Sequence, residues 1–324
     1  MMETIEIGLA CDHNYFPGLL VTAASMARHA SRDWALRFNV LDGGLTEADW
    51  TFLREKVVAE HPHAELRRLP VDEGRFTAFP EWNGPSRMAY ARLVLPELLP
   101  DAEFVIYSDV DFLWTADVSE LWNLRDCTQT VQGCRDLNAI LHARETAWFA
   151  ERGLTVGIGR YICSGMMLMN LKRFRELRVA EGLMDFLRKH PDAQYVDQTA
   201  INAVVKDIGL LPQKWERYSY ELRASELRGE WAIHFAGDAP WKWYWWTQLL
   251  NPAWKLWHRF YGEMYGIGER ESLGRIYGTG AIAKRKFAYW LVHTPGVRTV
   301  FFAFLRLARR GGYVPFLKDK VTVE

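Results

Sequence analysis

Asp109 and Asp111 stand two residues apart, directly after the apolar segment Phe104–Ser108. Side chains two apart on an extended chain point to the same side, so both carboxylates can bind one cation. Hard oxygen ligands suit Mg²⁺ or Mn²⁺, and such an ion would hold a diphosphate and neutralise the charge that develops as it leaves. The alternative interpretation is an acidic strand end that faces solvent.

A polar loop containing Asp12, Asn14 and Tyr15 follows the first apolar run of the chain. If that run is a strand of a parallel sheet, the loop lies at its carboxyl end, where nucleotides bind. Asp12 and Asn14 could then hydrogen-bond a uracil edge and ribose hydroxyls, and Tyr15 offers a flat face for stacking. The alternative is that the loop only makes a turn.

Two later positions also carry candidate groups. Asp197 and Gln198 lie at a predicted helix start, where the simpler interpretation is that Asp197 caps the helix. His234 and Gly237 lie at the end of another predicted strand. A neutral His234 imidazole could be a third metal ligand if the fold brings it to the acidic pair. The alternative is a buried histidine that bonds a backbone carbonyl.

The elements that must position these groups alternate along the chain. Apolar runs predict strands at residues 5–10, 38–41, 66–71, 104–108, 128–134, 166–170 and 231–235. Helical spacing predicts helices at residues 19–29, 46–60, 86–95, 179–189 and 197–206, the second with a capped start at Thr46. This alternation predicts an α/β fold with a mostly parallel central sheet flanked by helices.

The composition agrees with a globular enzyme. The chain has 324 residues, of which 49% are hydrophobic and 25% charged, so disorder and coiled coil are excluded. Fifteen tryptophans are many, and indoles often line sugar or nucleotide sites. No basic and apolar leader opens the chain, and four cysteines without CxxC spacing suggest reduced thiols. We therefore expect a cytoplasmic protein.

Several common signatures are missing from the sequence. It has no GxxxxGK phosphate loop, and Gly157 and Gly159 lack the third glycine of a dinucleotide fingerprint. It has no GxSxG elbow, and His61 and His63 have no nearby cysteines for a zinc site. No nucleic acid partner is expected.

In their order and spacing the polar motifs resemble glycosyltransferase family 8, in particular its bacterial lipopolysaccharide galactosyl- and glucosyltransferases. The resemblance covers roughly residues 4–245. The matching stretches are residues 7–15 (IGLACDHNY), 90–93 (YARL), 107–111 (YSDVD), 134–136 (CRD), 164–165 (SG), 168–172 (LMNLK), 197–198 (DQ) and 234–237 (HFAG). The resemblance implies a Rossmann-like GT-A fold, a UDP-sugar donor and retention of the donor's anomeric configuration.

The resemblance also implies roles for single residues. The implied uridine contacts are Asp12, Asn14 and Tyr15. The implied ligands of Mn²⁺ (or Mg²⁺) are Asp109, Asp111 and His234. Arg92 and Asp136 would hold the donor sugar, Gly237 and Lys242 would complete the donor site, and Asp197 and Gln198 would lie beside the anomeric carbon.

The sequence departs from the family pattern at two places. Cys163 stands where the family has Asn before the small-Gly pair, and a thiol is only a weak hydrogen-bond donor. The family's Lys-Pro-Trp after His-x-x-Gly is replaced by Asp238-Ala-Pro-Trp-Lys242. Lys242 therefore comes two residues late for its expected contact with the diphosphate.

Together these observations predict hexose transfer from UDP-glucose or UDP-galactose to a hydroxyl of a glycan, such as lipopolysaccharide core or surface polysaccharide. Front-face displacement, with Gln198 or Asp197 steadying the anomeric carbon, is favoured over a covalent intermediate on Asp197. One alternative is a non-catalytic nucleotide-sugar-binding protein. Another is a sugar nucleotidyltransferase, although the glycine-rich basic loop typical of that class is missing.

The predicted organisation is a catalytic domain over residues 1–250 and a helical, basic and aromatic appendage over residues 251–324. Residues 281–324 hold nine Lys or Arg against two Asp or Glu. Their apolar runs are shorter than the roughly 20 residues that span a bilayer. We expect peripheral contact with anionic lipid at the inner face of the cell membrane. The alternative is a helical hairpin packed on the catalytic domain.

Overall fold

A computed structural model describes residues 2–81, 86–242 and 251–278, together with scattered residues between 280 and 300. The strands are β1 (Thr4–Cys11), β2 (Ala35–Asp42), β3 (Ala64–Pro70), β4 (Phe104–Ser108), β5 (Phe112–Trp114), β6 (Val131–Arg135), β7 (Ile162–Asn170), β8 (Ile208–Leu211), β9 (Arg217–Tyr218) and β10 (Ala232–His234). The α-helices are α1 (Phe16–His29), α2 (Glu47–Glu60), α3 (Leu95–Leu98), α4 (Val118–Trp122), α5 (Ala139–Glu151), α6 (Leu171–Glu176), α7 (Val179–Lys189), α8 (Val196–Val204), α9 (Pro252–Met264) and α10 (Glu269–Tyr277).

The central sheet has seven strands in the order β3-β2-β1-β4-β7-β6-β8. All of them run in the same direction except β7, which is antiparallel to both β4 and β6. The carboxyl ends of β1 and β4 therefore meet the amino end of β7 at one edge of the sheet. The predicted mostly parallel sheet is confirmed.

A small sheet of order β5-β10-β9 continues directly from β4. β5 and β10 are antiparallel, and His234 pairs with Phe112 in their register. β9 is parallel to β10, with Tyr218 opposite His234. This sheet brings His234 back to the turn between β4 and β5, which contains Asp109 and Asp111.

Apolar side chains cover both faces of the central sheet. Ile7 and Leu9 of β1 belong to one buried cluster, which also contains the inner face of α1. Ala10 and Tyr107 belong to a second cluster, which includes residues of α7 and α8. Strands buried on both faces are typical of a parallel sheet covered by helices.

The C-terminal helices α9 and α10 pack into the first cluster. Trp254, Trp257 and Tyr261 of α9 and Leu273 of α10 are buried together with residues of β1 and α1. The basic segment beyond residue 300 lies outside the described residues. Within the part of the chain that the structure describes, none of the helices has the length and apolarity needed to span a bilayer.

One expected helix has a different form. Residues 86–95 were predicted as one α-helix, but Met88–Val94 is a 3₁₀ helix and only Leu95–Leu98 is α-helical. Pro96 has no backbone N–H to donate to the Arg92 carbonyl, so a continuous α-helix across this position is destabilised, and Pro96 lies instead in the first turn of α3. The short strands β5, β8 and β9 were not predicted, because segments of two to four residues have too little periodicity.

Candidate active site

Asp109 lies immediately after β4, at the edge where the strand ends meet. Its backbone N–H donates to the Gly165 carbonyl on β7 at 2.7 Å. Its carboxylate accepts from Arg92 Nη2 at 2.7 Å and from the Tyr107 hydroxyl at 2.8 Å. The first aspartate of the pair is therefore fixed by β4, β7 and the 3₁₀ helix that contains Arg92.

Asp111 faces His234. The His234 Nε2 atom lies 3.3 Å from Asp111 Oδ1, and that oxygen is buried without a hydrogen-bond partner. One ligand atom from each of Asp109, Asp111 and His234 lies within 4.8 Å of the others. Two carboxylates and one imidazole that converge in this way could hold a divalent cation, and the unpartnered Asp111 oxygen fits that use.

These charges shift the pKa of each group. Burial raises the pKa of Asp109, although the Arg92 charge opposes the shift. Burial alone would raise the pKa of Asp111, but the neighbouring His234 outweighs it and lowers the pKa. Burial would lower the pKa of His234, whereas Asp111 and Glu216 raise it well above the ordinary value. Strongly shifted groups that converge at one place are typical of functional sites.

The loop after β1 lies beside this cluster. Asp12 accepts from the backbone N–H groups of Asn14 and Tyr15 at 2.8 and 3.2 Å, so it does make the turn that was the simpler interpretation. Burial, and next the charge of Asp111, raises the pKa of Tyr15 to about 12. The Lys242 ammonium lies 3.8 Å from the centre of the Tyr15 ring and also contacts the Tyr15 hydroxyl.

A second polar group lies where β7 begins and α8 starts. Arg92 Nη1 pairs with Asp197 Oδ2 at 3.2 Å, so Arg92 bridges Asp109 and Asp197. The N-cap residue of α8 is Tyr195, and no side chain makes a capping hydrogen bond there, so the interpretation of Asp197 as a capping residue is wrong. Gln198 accepts from the Ser164 N–H at 3.1 Å and donates to Asp136 Oδ2 at 3.0 Å.

The backbone just before Asp197 is strained. Val196 has a φ of +41°, a conformation that β-branched residues rarely adopt. Such outliers persist only where surrounding contacts enforce them, and they cluster at functional sites. The two side chains that follow Val196 contact Arg92 and Asp136.

Glu216 is a site residue that the sequence did not indicate. Its Oε1 lies 2.7 Å from His234 Nδ1, and its carboxylate is fully buried. Cys163, Glu216 and His234 also place ligand atoms within 4.8 Å of one another. Glu216 reaches His234 only through the pairing of β9 with β10, so local sequence carries no signal for it.

The segment that leads to Lys242 is attached to the C-terminal helices. Gly237 turns the chain after β10 with a φ of +65°. Asp238 accepts from Trp254 Nε1 at 3.1 Å, and the Tyr277 hydroxyl donates to the carbonyls of Pro240 and Lys242. The structure thus brings every predicted site residue to the same edge of the sheet or to the loops around it.

The sequence model of glycosyl transferase family 8 matches residues 6–242, which is more than half of the chain. The chain belongs to glycosyl transferase family 8. It is 27% identical to general stress protein A of Bacillus subtilis (strain 168), over 67% of this chain and 75% of that protein. It is 23% identical to the lipopolysaccharide 1,2-glucosyltransferase of Escherichia coli (strain K12), over 78% of this chain and 80% of that protein.

Solved structures agree with the fold. The galactosyltransferase LgtC, crystallised with donor and acceptor sugar analogues, superposes with a TM-score of 0.67 and 23% identity, over 80% of this chain and 96% of that one. The bifunctional glycosyltransferase WbbM also gives a TM-score of 0.67, at 19% identity, over 83% of this chain and only 52% of that one. The predicted GT-A fold is confirmed, and the protein is a glycosyltransferase.

Proposed function

We propose that this glycosyltransferase transfers a hexose from UDP-glucose or UDP-galactose to a hydroxyl group of a glycan, with retention of configuration. The observation that carries the proposal is the convergence of Asp109, Asp111 and His234 beside the loop that contains Tyr15. A cation site and a nucleotide-binding loop at the carboxyl ends of neighbouring strands are what a nucleotide-sugar donor requires.

Asp109, Asp111 and His234 would hold Mn²⁺ or Mg²⁺. When bound, such an ion neutralises negative charge on the departing diphosphate. The donor set fits these metals because two of its three groups are hard carboxylate oxygens. The unpartnered, buried Oδ1 of Asp111 supports the same assignment.

The loop after β1 and Lys242 would bind the nucleotide. Asp12 and Asn14 would hydrogen-bond uracil and ribose, and Tyr15 would stack on the base. The Lys242 ammonium covers one face of the Tyr15 ring in this structure. A bound diphosphate would attract that ammonium, and the covered ring face would then be open to uracil. Gly237 supports the arrangement because its positive φ turns the chain toward Lys242.

Arg92 and Asp136 would hold the donor sugar, with Gln198 beside the anomeric carbon. The Asp197 side chain is 5% exposed and paired with Arg92, which disfavours its attack on the sugar. The Gln198 carboxamide is fixed by Ser164 and Asp136, so its dipole can steady positive charge on that carbon. A diphosphate oxygen would accept the acceptor's proton on the same face, which gives retention.

The test is incubation of the full chain with a panel of nucleotide sugars and Mn²⁺. We expect UDP release with UDP-glucose or UDP-galactose, stimulation by a glycan acceptor, and an α-linked product from an α-linked donor. Proton NMR reports the linkage, and a β-linked product would contradict retention. Absence of UDP release with every donor would contradict the catalytic role.

Lipopolysaccharide core or surface polysaccharide is the proposed acceptor class, supported by the similarity to a lipopolysaccharide 1,2-glucosyltransferase. We also propose a cytoplasmic location, with residues 281–324 contacting anionic lipid at the inner membrane face. Their nine basic residues against two acidic ones support this contact, as do the exposed rings of Phe287 and Trp290. Sedimentation with anionic but not zwitterionic vesicles would agree with it, and no sedimentation would contradict it.

A further inference from the structure

The imidazole of His234 is held from several directions. The Phe112 ring stacks on it at 4.2 Å with an interplanar angle of 13°, and Tyr218 lies 5.7 Å away. Gly165 passes so close that a β-carbon there would lie 2.6 Å from His234 Cε1. Both ring nitrogens face carboxylates: Nε2 lies 3.3 Å from Asp111, and Nδ1 lies 2.7 Å from Glu216.

The Glu216 carboxylate lies in an unusual environment for a charged group. It is 1% exposed, and its Oε2 has no hydrogen-bond partner. Among the residues that the structure describes, no Lys or Arg forms an ion pair with it, and His234 is its ion-pair partner. Burying a carboxylate without a permanent cation costs several kcal/mol, so a neutral side chain would serve the fold better.

We propose that Glu216 is a positioning residue that directs the Nε2 lone pair of His234 toward the divalent metal. The Nδ1 atom is occupied by its 2.7 Å hydrogen bond with Glu216 Oε1, and a carboxylate that accepts this bond fixes the imidazole hydrogen on Nδ1. Nε2 is then the nitrogen available to a metal, and it faces Asp111 at 3.3 Å. A carboxylate behind a metal-binding histidine also raises the basicity of the ligand. The inference rests on the proposed metal role of His234.

Cys163 raises a competing interpretation. Cys, Glu and His side chains together suit zinc, and these three lie within 4.8 Å of one another. However, the 2.7 Å between Nδ1 and Oε1 is a hydrogen-bond distance, and all three side chains are buried. The geometry therefore favours a hydrogen-bonded support for His234 over a second metal site.

The experiment measures Mn²⁺ affinity of the full chain with saturating UDP, from the electron paramagnetic resonance signal of free Mn²⁺. Glu216→Ala should weaken Mn²⁺ binding by roughly 10–100-fold. Glu216→Gln keeps an oxygen that accepts from Nδ1 and should lose less. Glu145→Gln is the matched control, because Glu145 is also fully buried but bonds the Tyr161 hydroxyl. It should bind Mn²⁺ like the parent.

If Glu216→Ala does not fold, a second measurement on Glu216→Gln still tests the proposal. The visible spectrum of Co²⁺ bound to Glu216→Gln should shift, because the spectrum depends on ligand geometry. Parent-like Mn²⁺ affinity together with a parent-like Co²⁺ spectrum would overturn the proposal. A second bound Cd²⁺ that disappears in Cys163→Ser would also overturn it, because Glu216 would then be a ligand itself.

His234→Ala separates this inference from the proposed function. If His234→Ala binds Mn²⁺ like the parent while Asp109→Asn does not, the ligand set of the proposed function is wrong. The proposed role of Glu216 is then overturned as well. If His234→Ala weakens binding and the Glu216 variants do not, only the inference is overturned. Weakened binding in both supports both.

Discussion

Asp109 and Asp111 are only two positions apart in the sequence, but their surroundings differ. Asp109 is tied to Arg92 and Tyr107, whereas Asp111 has His234 as its near partner. Arg92 also pairs with Asp197, so Asp109 is linked to the proposed sugar-binding residues as well as to the proposed metal site. Replacing each of the two aspartates should therefore have different effects on the enzyme.

Asp111→Asn should lower kcat for UDP release by about a hundredfold or more, because a metal ligand and several kcal/mol of charge stabilisation are lost. Asp109→Asn should lose as much activity and also raise KM for the UDP-sugar, since Arg92, a proposed donor-sugar contact, loses one of its two carboxylate partners. The exposed Asp101→Asn is the control and should behave like the parent. Full turnover of the parent protein in excess EDTA would contradict the metal role.

Gly165 is needed for its small size. Gly165→Ala would place a methyl group 2.6 Å from His234 Cε1 and 3.1 Å from Nε2, so the ring must move away from the acidic pair. Mn²⁺ affinity should fall by roughly tenfold, the lower end of the range for disturbed metal-ligand supports. Gly157→Ala is the matched control, because its added methyl group meets no atom within 4 Å. Equal affinities in the two variants would show that the ring is not constrained there.

Some site residues were predicted from local patterns and others only from the family resemblance. The spacing of Asp109 and Asp111 after an apolar strand indicated a shared side, and the structure places both toward one point. The sequence offered His234 as a third ligand only if the fold brought it to the acidic pair, and the family resemblance supplied its role, because nothing local distinguishes it from a buried core histidine. Glu216 was missed, since its partner lies 18 residues away on a neighbouring strand.

At the scale of elements, the segment 237–242 is held by helices that come later in the chain. Tyr277 at the end of α10 donates its hydroxyl to the carbonyls of Pro240 and Lys242. Trp241 packs against Trp257 of α9 with ring centroids 5.7 Å apart. The position of Lys242, and with it the proposed diphosphate contact, therefore depends on α9 and α10.

Tyr277→Phe should weaken UDP affinity by roughly fivefold, since one or two hydrogen bonds that fix the Lys242 backbone are worth about 1 kcal/mol. Calorimetric titration of UDP with Mn²⁺ present measures the change. Tyr265→Phe is the control on the same pair of helices, because that ring packs on Phe52 and beneath Arg275 instead. Unchanged UDP affinity in Tyr277→Phe would mean that α10 does not position Lys242.

Helices with a clear capping motif or regular apolar spacing in the sequence were predicted well. The helix start at Thr46 is a capping box with Asp49, and α7 spans residues 179–189 as expected. The form of residues 88–94 was not predictable from apolar spacing, because 3₁₀ and α-helices differ little in period over so short a segment. The start of α8 was misread, since Asp197 pairs with Arg92, far away in sequence.

At the scale of the whole molecule, a buried acid joins the nucleotide side of the site to the C-terminal helices. The Asp238 carboxylate accepts from Trp254 Nε1 at 3.1 Å and from the Ser219 hydroxyl at 3.3 Å. Burial raises its pKa from an ordinary 3.8 to about 7. The folded protein therefore holds a proton there that the unfolded chain releases at lower pH.

This proton makes stability depend on pH. The stabilisation is complete below about pH 4 and is lost as the pH rises toward 7, at up to about 1.4 kcal/mol per pH unit. Asp238→Asn keeps a hydrogen-bond acceptor and removes the titration. Its free energy of unfolding in urea, relative to the parent, should increase from pH 5 to 7 and then level off. A constant difference across that range would contradict the assignment, and Asp101→Asn serves as the control.

The reversed direction of β7 has a consequence for how the enzyme can change over evolution. Its amino end, residues 162–165, lies among the groups proposed to surround the sugar, whereas β1 leads into the loop proposed to hold the base. Two separate strands thus supply the two halves of donor recognition. Substitutions at the start of β7 can alter which donor sugar is accepted, while the nucleotide-binding loop after β1 stays unchanged. A variant library restricted to residues 162–164, which leaves Gly165 unchanged beside His234, is accordingly a compact route to new donor preferences.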